Sequence, residues 1–289
     1  MENEKTLGKI SAKLIRKLYD ENRPIFEINH AQRIVGKNYN ATTDLLRDLV
    51  KRKIIVRLKA GKYLIIPQEM GSGEHYLGNW YIAGKEIINS KKYYIAFYSA
   101  MNHWGMLTQP LIKIFIATPK RQIIPQEMIG KMIFVTVKEK SIWGIKEEWI
   151  NSKEKIRISN IEKTIIDCLT FPQHCGGITE IAKGIWIVKD KLNYKILLNY
   201  VNRHNKNVVA KRLGYLLELL NIGDSDIIFE LKKFVKDRYD LFDPTLSIKR
   251  INKNSWRLIY HFSKTLLYSL FVFGLHYQLN ASCFYSFFL

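Results

Sequence analysis

An amphipathic stretch at residues 40–53 is followed at once by two short apolar runs joined through a glycine-containing turn, and that order is the outline of a winged helix-turn-helix. Within the stretch, Leu45, Leu46, Leu49 and Val50 recur at helical spacing and predict one buried stripe. Asn40 is the expected N-cap, which leaves Thr42, Thr43, Arg47 and Lys51 facing outward. Residues 54–58 and 63–66 are rich in isoleucine and bracket residues 59–62, where Gly61 permits a hairpin turn. Arg57, Lys59 and Lys62 are expected to ride on that wing.

A helix that enters the major groove by its N-terminus needs short polar side chains there, and Thr42 and Thr43 meet that need. Arg47 suits either a guanine edge or a phosphate, whereas the wing cations suit phosphates. The same pattern also fits an ordinary helix with a solvated charged face, or a winged helix that binds protein. A protein-binding adaptor is therefore one alternative function.

Charge favours a polyanionic partner. The chain has 46 Lys and Arg against 26 Asp and Glu, a formal net charge of +20, which suits DNA, RNA or an anionic membrane surface. Residues 1–70 hold 15 basic and 8 acidic residues, net +7, and the remaining 219 carry net +13. The second part is thus basic enough for a nucleic-acid contact of its own.

The 289 residues suffice for two domains, with the boundary in the Pro- and Gly-containing run at 67–73. Domains are expected over residues 1–70 and 75–256. Cys168, Cys175 and Cys283 match no zinc spacing and read as core residues in a reducing compartment. The first residues lack the apolar core of a signal peptide, so cytoplasmic localisation is expected.

In the second part, helices are expected within 78–108, with Ile95 on the second of them, and strands at 111–117, 131–137 and 156–159. Ser159 and Glu162 have capping-box spacing ahead of a helix over 161–169. Further helices are expected over 178–192 and 208–220, the last stopping near Gly223. The fold class is α+β, a winged helix-turn-helix plus a small sheet framed by helices.

Several residues invite a chemical reading. His103 beside Trp104 suits a general base or a stacking group, or simply a helix-end histidine. Gly176 and Gly177 precede a helix whose amides suit a phosphate, although no P-loop lysine follows and a tight turn is simpler. Asp226, Glu230 and Lys232 outline a magnesium-dependent nuclease, the runner-up function, against a solvated helix face. Asp167 is the other candidate acid, with a structural tie as its plainer role. No enzyme site and no cofactor are expected.

Three landmarks carry a resemblance: YYIAFYSAMNHWGMLTQ at 93–109, IEKTIIDCL at 161–169 with CGG at 175–177, and AKRLGYLLELL at 210–220. In that order, behind a winged helix, the chain resembles the AbiEi antitoxins of type IV abortive-infection systems over nearly all of residues 1–256. The resemblance implies a cytoplasmic repressor that binds double-stranded DNA at inverted repeats near its own promoter, as a dimer or as paired copies. It also implies a C-terminal domain that counters a nucleotidyltransferase-like toxin without requiring a tight complex. By position, the DNA-reading role falls on residues 40–62, and the neutralising role on the regions around Ser99 to Gln109 and Glu162 to Gly177.

Residues 257–289 depart from that pattern as a hydrophobic tail in which Lys264 is the only formal charge from Tyr260 onward. Residues 266–275 are short against the roughly 20 apolar residues of a membrane span. Read-through is favoured over an anchor or a docked helix.

Overall fold

Leu14, Ile15 and Leu18 give the first helix, α1 (Lys9–Asp20), a single apolar face, and that face nucleates the N-terminal core. In the computed structural model, which describes residues 7–66, 77–107, 109–150, 154–246 and 252–260, α1 is followed by β1 (Ile25–Glu27), α2 (Ile28–Val35) and α3 (Tyr39–Lys51). The hairpin β2 (Ile55–Lys59) and β3 (Lys62–Ile65) comes next and pairs antiparallel with β1 in the order β1-β3-β2. α2 ends at Gly36, whose φ of 70° lies in the left-handed region that glycine adopts without penalty. The result is the helix–turn–helix and antiparallel sheet of a winged helix.

Both faces of the wing sheet are buried. Ile55, Tyr63 and Ile65 pack into the helical core with Leu46 and Leu49, while Val56, Leu58 and Leu64 join a second cluster with Trp80, Tyr81 and Ile88. Those last three lie on α4 (Leu77–Ile88), which therefore lies against the back of the wing. This explains why residues 54–58 and 63–66 are nearly continuous apolar runs rather than alternating ones.

The second unit is built on a five-stranded mixed sheet. β4 (Tyr94–Ile95) is its central strand, followed along the chain by α5 (Phe97–His103), β5 (Ile114–Thr118), β6 (Met132–Thr136), β7 (Ile145–Trp149) and β8 (Lys155–Ser159). The strand order is β6-β5-β4-β8-β7; β5 and β6 are parallel, as are β4 and β8, and the other two pairs are antiparallel. Side chains alternate along β5: Ile114 and Ile116 face the α4 core, Phe115 and Ala117 the opposite core.

That opposite core belongs to α6 (Ile161–Thr170), α7 (Ile178–Ile187), α8 (Tyr194–His204), α9 (Asn207–Leu220) and α10 (Ser225–Lys232). A small sheet, β9 (Asp240–Leu241), β10 (Asn252–Lys253) and β11 (Leu258–Tyr260), closes it in the order β10-β11-β9. Trp256, wholly buried, lies against Gly214 of α9, where an added Cβ would come within 2.0 Å of its ring. The α+β class is as the sequence predicts, with the sheet held between α4 and the helical layer.

Local expectations need correction at several places. Ile95 lies in β4 and not on a helix, and β7 is a strand that apolar patterning did not reveal. Ser159 does not cap α6, because it is still paired with Ile145 in the sheet. Asn160 caps it instead, accepting from the Lys163 amide at 2.9 Å, and Glu162 accepts from the Asn193 amide at 3.0 Å, tying α6 to the start of α8. The helix expected over 178–192 ends at Ile187, with a short 3-10 turn at Lys189–Lys191. α9 stops at Asn221, which takes the left-handed conformation two residues before Gly223. The linker at 67–73 and nearly all of the tail at 257–289 lie outside the described residues.

Candidate nucleic-acid interface

Asn38, not Asn40, caps α3; its side-chain oxygen accepts from the Ala41 amide at 2.8 Å. Helix formation therefore begins two residues earlier than expected. Thr42, predicted to face outward, is wholly buried, and its hydroxyl donates to the Asn38 carbonyl at 2.8 Å. It is a core residue at the turn. Thr43 is partly exposed, with its hydroxyl donating to the Tyr39 carbonyl at 2.8 Å.

Arg47 and Lys51 are exposed, as expected. Tyr39, Thr43, Arg47 and Lys51 recur every four residues and form one stripe along the open side of α3. Arg47 reaches Asp44 at 2.8 Å, but both side chains are about 70% exposed, at 73% and 69%, so this contact is exchangeable with another partner at little cost. Tyr39 was missed because the cap was placed too late. The signal for it was the glycine-then-asparagine spacing of Gly36 and Asn38, a helix stop followed by a helix start.

Arg57 is exposed on β2 directly opposite Tyr63 in the register of the hairpin, so the two share the sheet face that packs toward α3. Burial raises the Tyr63 phenol pKa, and Arg57 and Arg47 both act on it in the opposite direction. Both arginines thus lie near enough to Tyr63 to act on the same phenol.

Lys59 and Lys62 are elsewhere. The wing turn has only Ala60 and Gly61 between the strands, and the Ile28 amide donates to the Gly61 carbonyl at 2.8 Å, holding the tip against the start of α2. Lys59 Nζ donates to the Glu86 carbonyl at 2.8 Å and Lys62 pairs with the Glu86 carboxylate. Their expected role as projecting wing cations is corrected. They fasten the wing to α4.

The landmarks in the second unit converge on α6. Lys163 is wholly buried and ion-paired with Asp167 one turn later, and the Tyr94 hydroxyl donates to the other carboxylate oxygen at 3.0 Å. The Trp143 ring covers the ammonium with 4.4 Å to its centroid. Burial pushes the Asp167 carboxyl up, opposed by the charge and hydrogen bond of Lys163. His204, hydrogen-bonded to the Thr170 hydroxyl at 2.9 Å, is pulled down to about 4 by burial and then by Lys206 and Lys163. Asp167 is thus a fully buried structural tie.

Gly176 and Gly177 both have positive φ, 73° and 85°, and form the tight turn into α7. The amide at the start of that helix, on Ile178, donates to Asp243 at 2.8 Å, so a carboxylate of this chain already occupies the place a phosphate would take. Arg212 holds the same region together through the Leu169 carbonyl at 2.6 Å and the Leu241 carbonyl at 2.8 Å.

The nuclease residues do not converge. On α10, Glu230 pairs with Lys233 at 2.5 Å, while Lys232 turns to Glu218 at 3.1 Å. Among the described residues no group of three or more His, Cys, Asp or Glu is placed to hold a metal ion. His103 ends α5 with its ring edge-on to Trp104, centroids 4.9 Å apart, and burial lowers its pKa. Among the described residues no helix is long and apolar enough to cross a membrane.

No family model and no curated protein matches the chain. Among solved structures, it is similar to the crystal structure of the RV2827C protein from Mycobacterium tuberculosis, with a TM-score of 0.64. The alignment covers 88% of this chain and 92% of that one at 11% identity, a likeness of fold.

Proposed function

We propose that this chain is a DNA-binding transcriptional autorepressor and the antitoxin of a type IV toxin–antitoxin pair, acting in the cytoplasm against a nucleotidyltransferase-like toxin. The observation that carries the DNA-binding half is the exposed α3 stripe of Tyr39, Thr43, Arg47 and Lys51 with Arg57 beside it. Thr43 and Tyr39 lie nearest the helix start, the end that meets base edges in a recognition helix, and Arg47, Lys51 and Arg57 suit guanines or phosphates. The net charge of +20 adds attraction to any duplex. Reading an inverted repeat takes two copies, as a dimer or side by side on the DNA.

The antitoxin half rests on the resemblance of residues 93–109, 161–177 and 210–220 to the AbiEi family. No cofactor enters this reading. Footprinting of the full chain on the DNA upstream of its gene tests the first half, with protection of two half-sites as the expected result. Co-expression with the neighbouring toxin gene tests the second: growth is restored if the reading holds and remains arrested if it does not.

A further inference from the structure

Three separate loops bring lysines to one end of the five-stranded sheet. Lys92 precedes β4, Lys120 follows β5 and Lys138 follows β6; β5 and β6 are parallel, and the first residue of β4 pairs with Ala117 near the end of β5. The loops therefore meet outside the carboxyl ends of two parallel strands, the place where open sheets bind ligands. There they line a half-open cleft of about 880 Å³.

The lining is suited to phosphate. Thr136, Ser90 and Gln122 place hydroxyl and amide groups among the lysines. One carboxylate, Glu139, also lines the cleft and pairs with Lys92 at 2.6 Å, but both side chains are mostly exposed, so the pair is weak. Lys120 and Lys138 remain in excess. Burial lowers the Lys206 pKa and the charge of Lys138 lowers it further, so the positive field extends beyond the cleft. Gathering like charges is unfavourable unless an anion joins them.

Size and walls narrow the choice. The volume is in the range of small-molecule sites and far larger than one phosphate needs, and Ile88 and Val137, which belong to the cores on the two sides of the sheet, add apolar carbon to an otherwise mostly polar lining. We propose that this cleft binds a nucleoside triphosphate, with its phosphate chain on Lys92, Lys120 and Lys138 and its base against Ile88 and Val137. The site lies on the sheet of the second unit and shares no residue with the α3 stripe. It stands or falls independently of DNA reading.

The test is calorimetric titration of the full chain with ATP, GTP, inorganic tripolyphosphate and a single-stranded decanucleotide. Saturable one-to-one binding of a nucleotide is expected, tighter than tripolyphosphate because the base contributes. Lys120→Ala/Lys138→Ala is expected to weaken it at least tenfold while its thermal midpoint and operator binding stay at wild-type values, since both lysines are exposed. Lys120→Glu should weaken it further. Lack of saturable binding up to millimolar nucleotide, or undiminished affinity in the double variant, overturns the proposal. Displacement of nucleotide by a tighter-binding decanucleotide also overturns it and makes the cleft a groove for a nucleic-acid backbone.

Discussion

Lys62 on the wing is ion-paired with Glu86 on α4, and this contact joins the winged helix to the unit behind it. Lys59 adds a second tie to the Glu86 carbonyl at 2.8 Å, and Val56, Leu58 and Leu64 seal the junction from water. A wing held in this way is a structural bracket. Its exposed cation is Arg57, on the opposite face of the same sheet.

Glu86→Gln removes the charge that Lys62 addresses while leaving in place the main-chain carbonyl that Lys59 addresses. The pair is partly exposed, 21% on each side, so a loss of about 1 kcal/mol is expected. Urea denaturation of the full chain measures it. A midpoint unchanged from wild type would mean the ion pair adds nothing to the junction.

Asp167→Ala strands the Lys163 ammonium in a dry site beneath Trp143, which costs about 3–5 kcal/mol. Replacing both partners, Lys163→Met with Asp167→Leu, should recover most of that loss, because an apolar pair of similar volume leaves no charge behind. Denaturant midpoints of the single and double variants decide between these outcomes.

Much of the N-terminal fold was legible in the sequence, for stated reasons. Leu46 and Leu49 announce the buried side of α3, and the apolar runs at 54–58 and 63–66, interrupted by Arg57, announce the hairpin, though not its cover on both faces. What was hidden is tertiary. Lys59, Lys62 and Lys163 look like surface lysines in a sequence; only the fold supplies Glu86 as a partner for the first two, and only the fold buries Lys163 with its i,i+4 partner Asp167. β7 escaped because Lys146, Glu147 and Glu148 fill the middle of an edge strand, where charge is tolerated and blunts pairing with other chains. β4 escaped because it is two residues long.

His204 makes stability depend on pH. Its pKa falls from the ordinary 6.5 to about 4 in the folded chain, so between those values the unfolded state binds more protons than the folded one. The contribution is fully present above pH 6.5 and is lost as pH falls toward 4. His204→Gln should therefore narrow the difference between denaturation midpoints at pH 7 and pH 5. An unaltered difference would show that the imidazole titrates normally.

Gly214→Ala puts a methyl group where Trp256 now sits, within 2.0 Å of the ring. The ring must move away from Glu218, to which its Nε1 donates at 2.6 Å. Overpacking of this kind costs roughly 1–3 kcal/mol, and tryptophan fluorescence together with thermal melting reports it. A variant as stable as wild type with the same emission would contradict the packing of β11 and Trp256 on α9.

The central claim is that the open side of α3, with Arg57 beside it, reads DNA. A competition gel shift of the full chain against its own upstream DNA, at physiological salt with excess unrelated duplex, tests it most directly when run alongside Arg47→Ala, Arg57→Ala and Lys59→Ala. Competitor-resistant binding to an inverted repeat is predicted, weakened by both arginine substitutions. Arg57→Ala should lower the salt slope by about one phosphate's worth, and Lys59→Ala should leave it unchanged. Binding that is sequence-blind, or that survives loss of both arginines, would contradict the account.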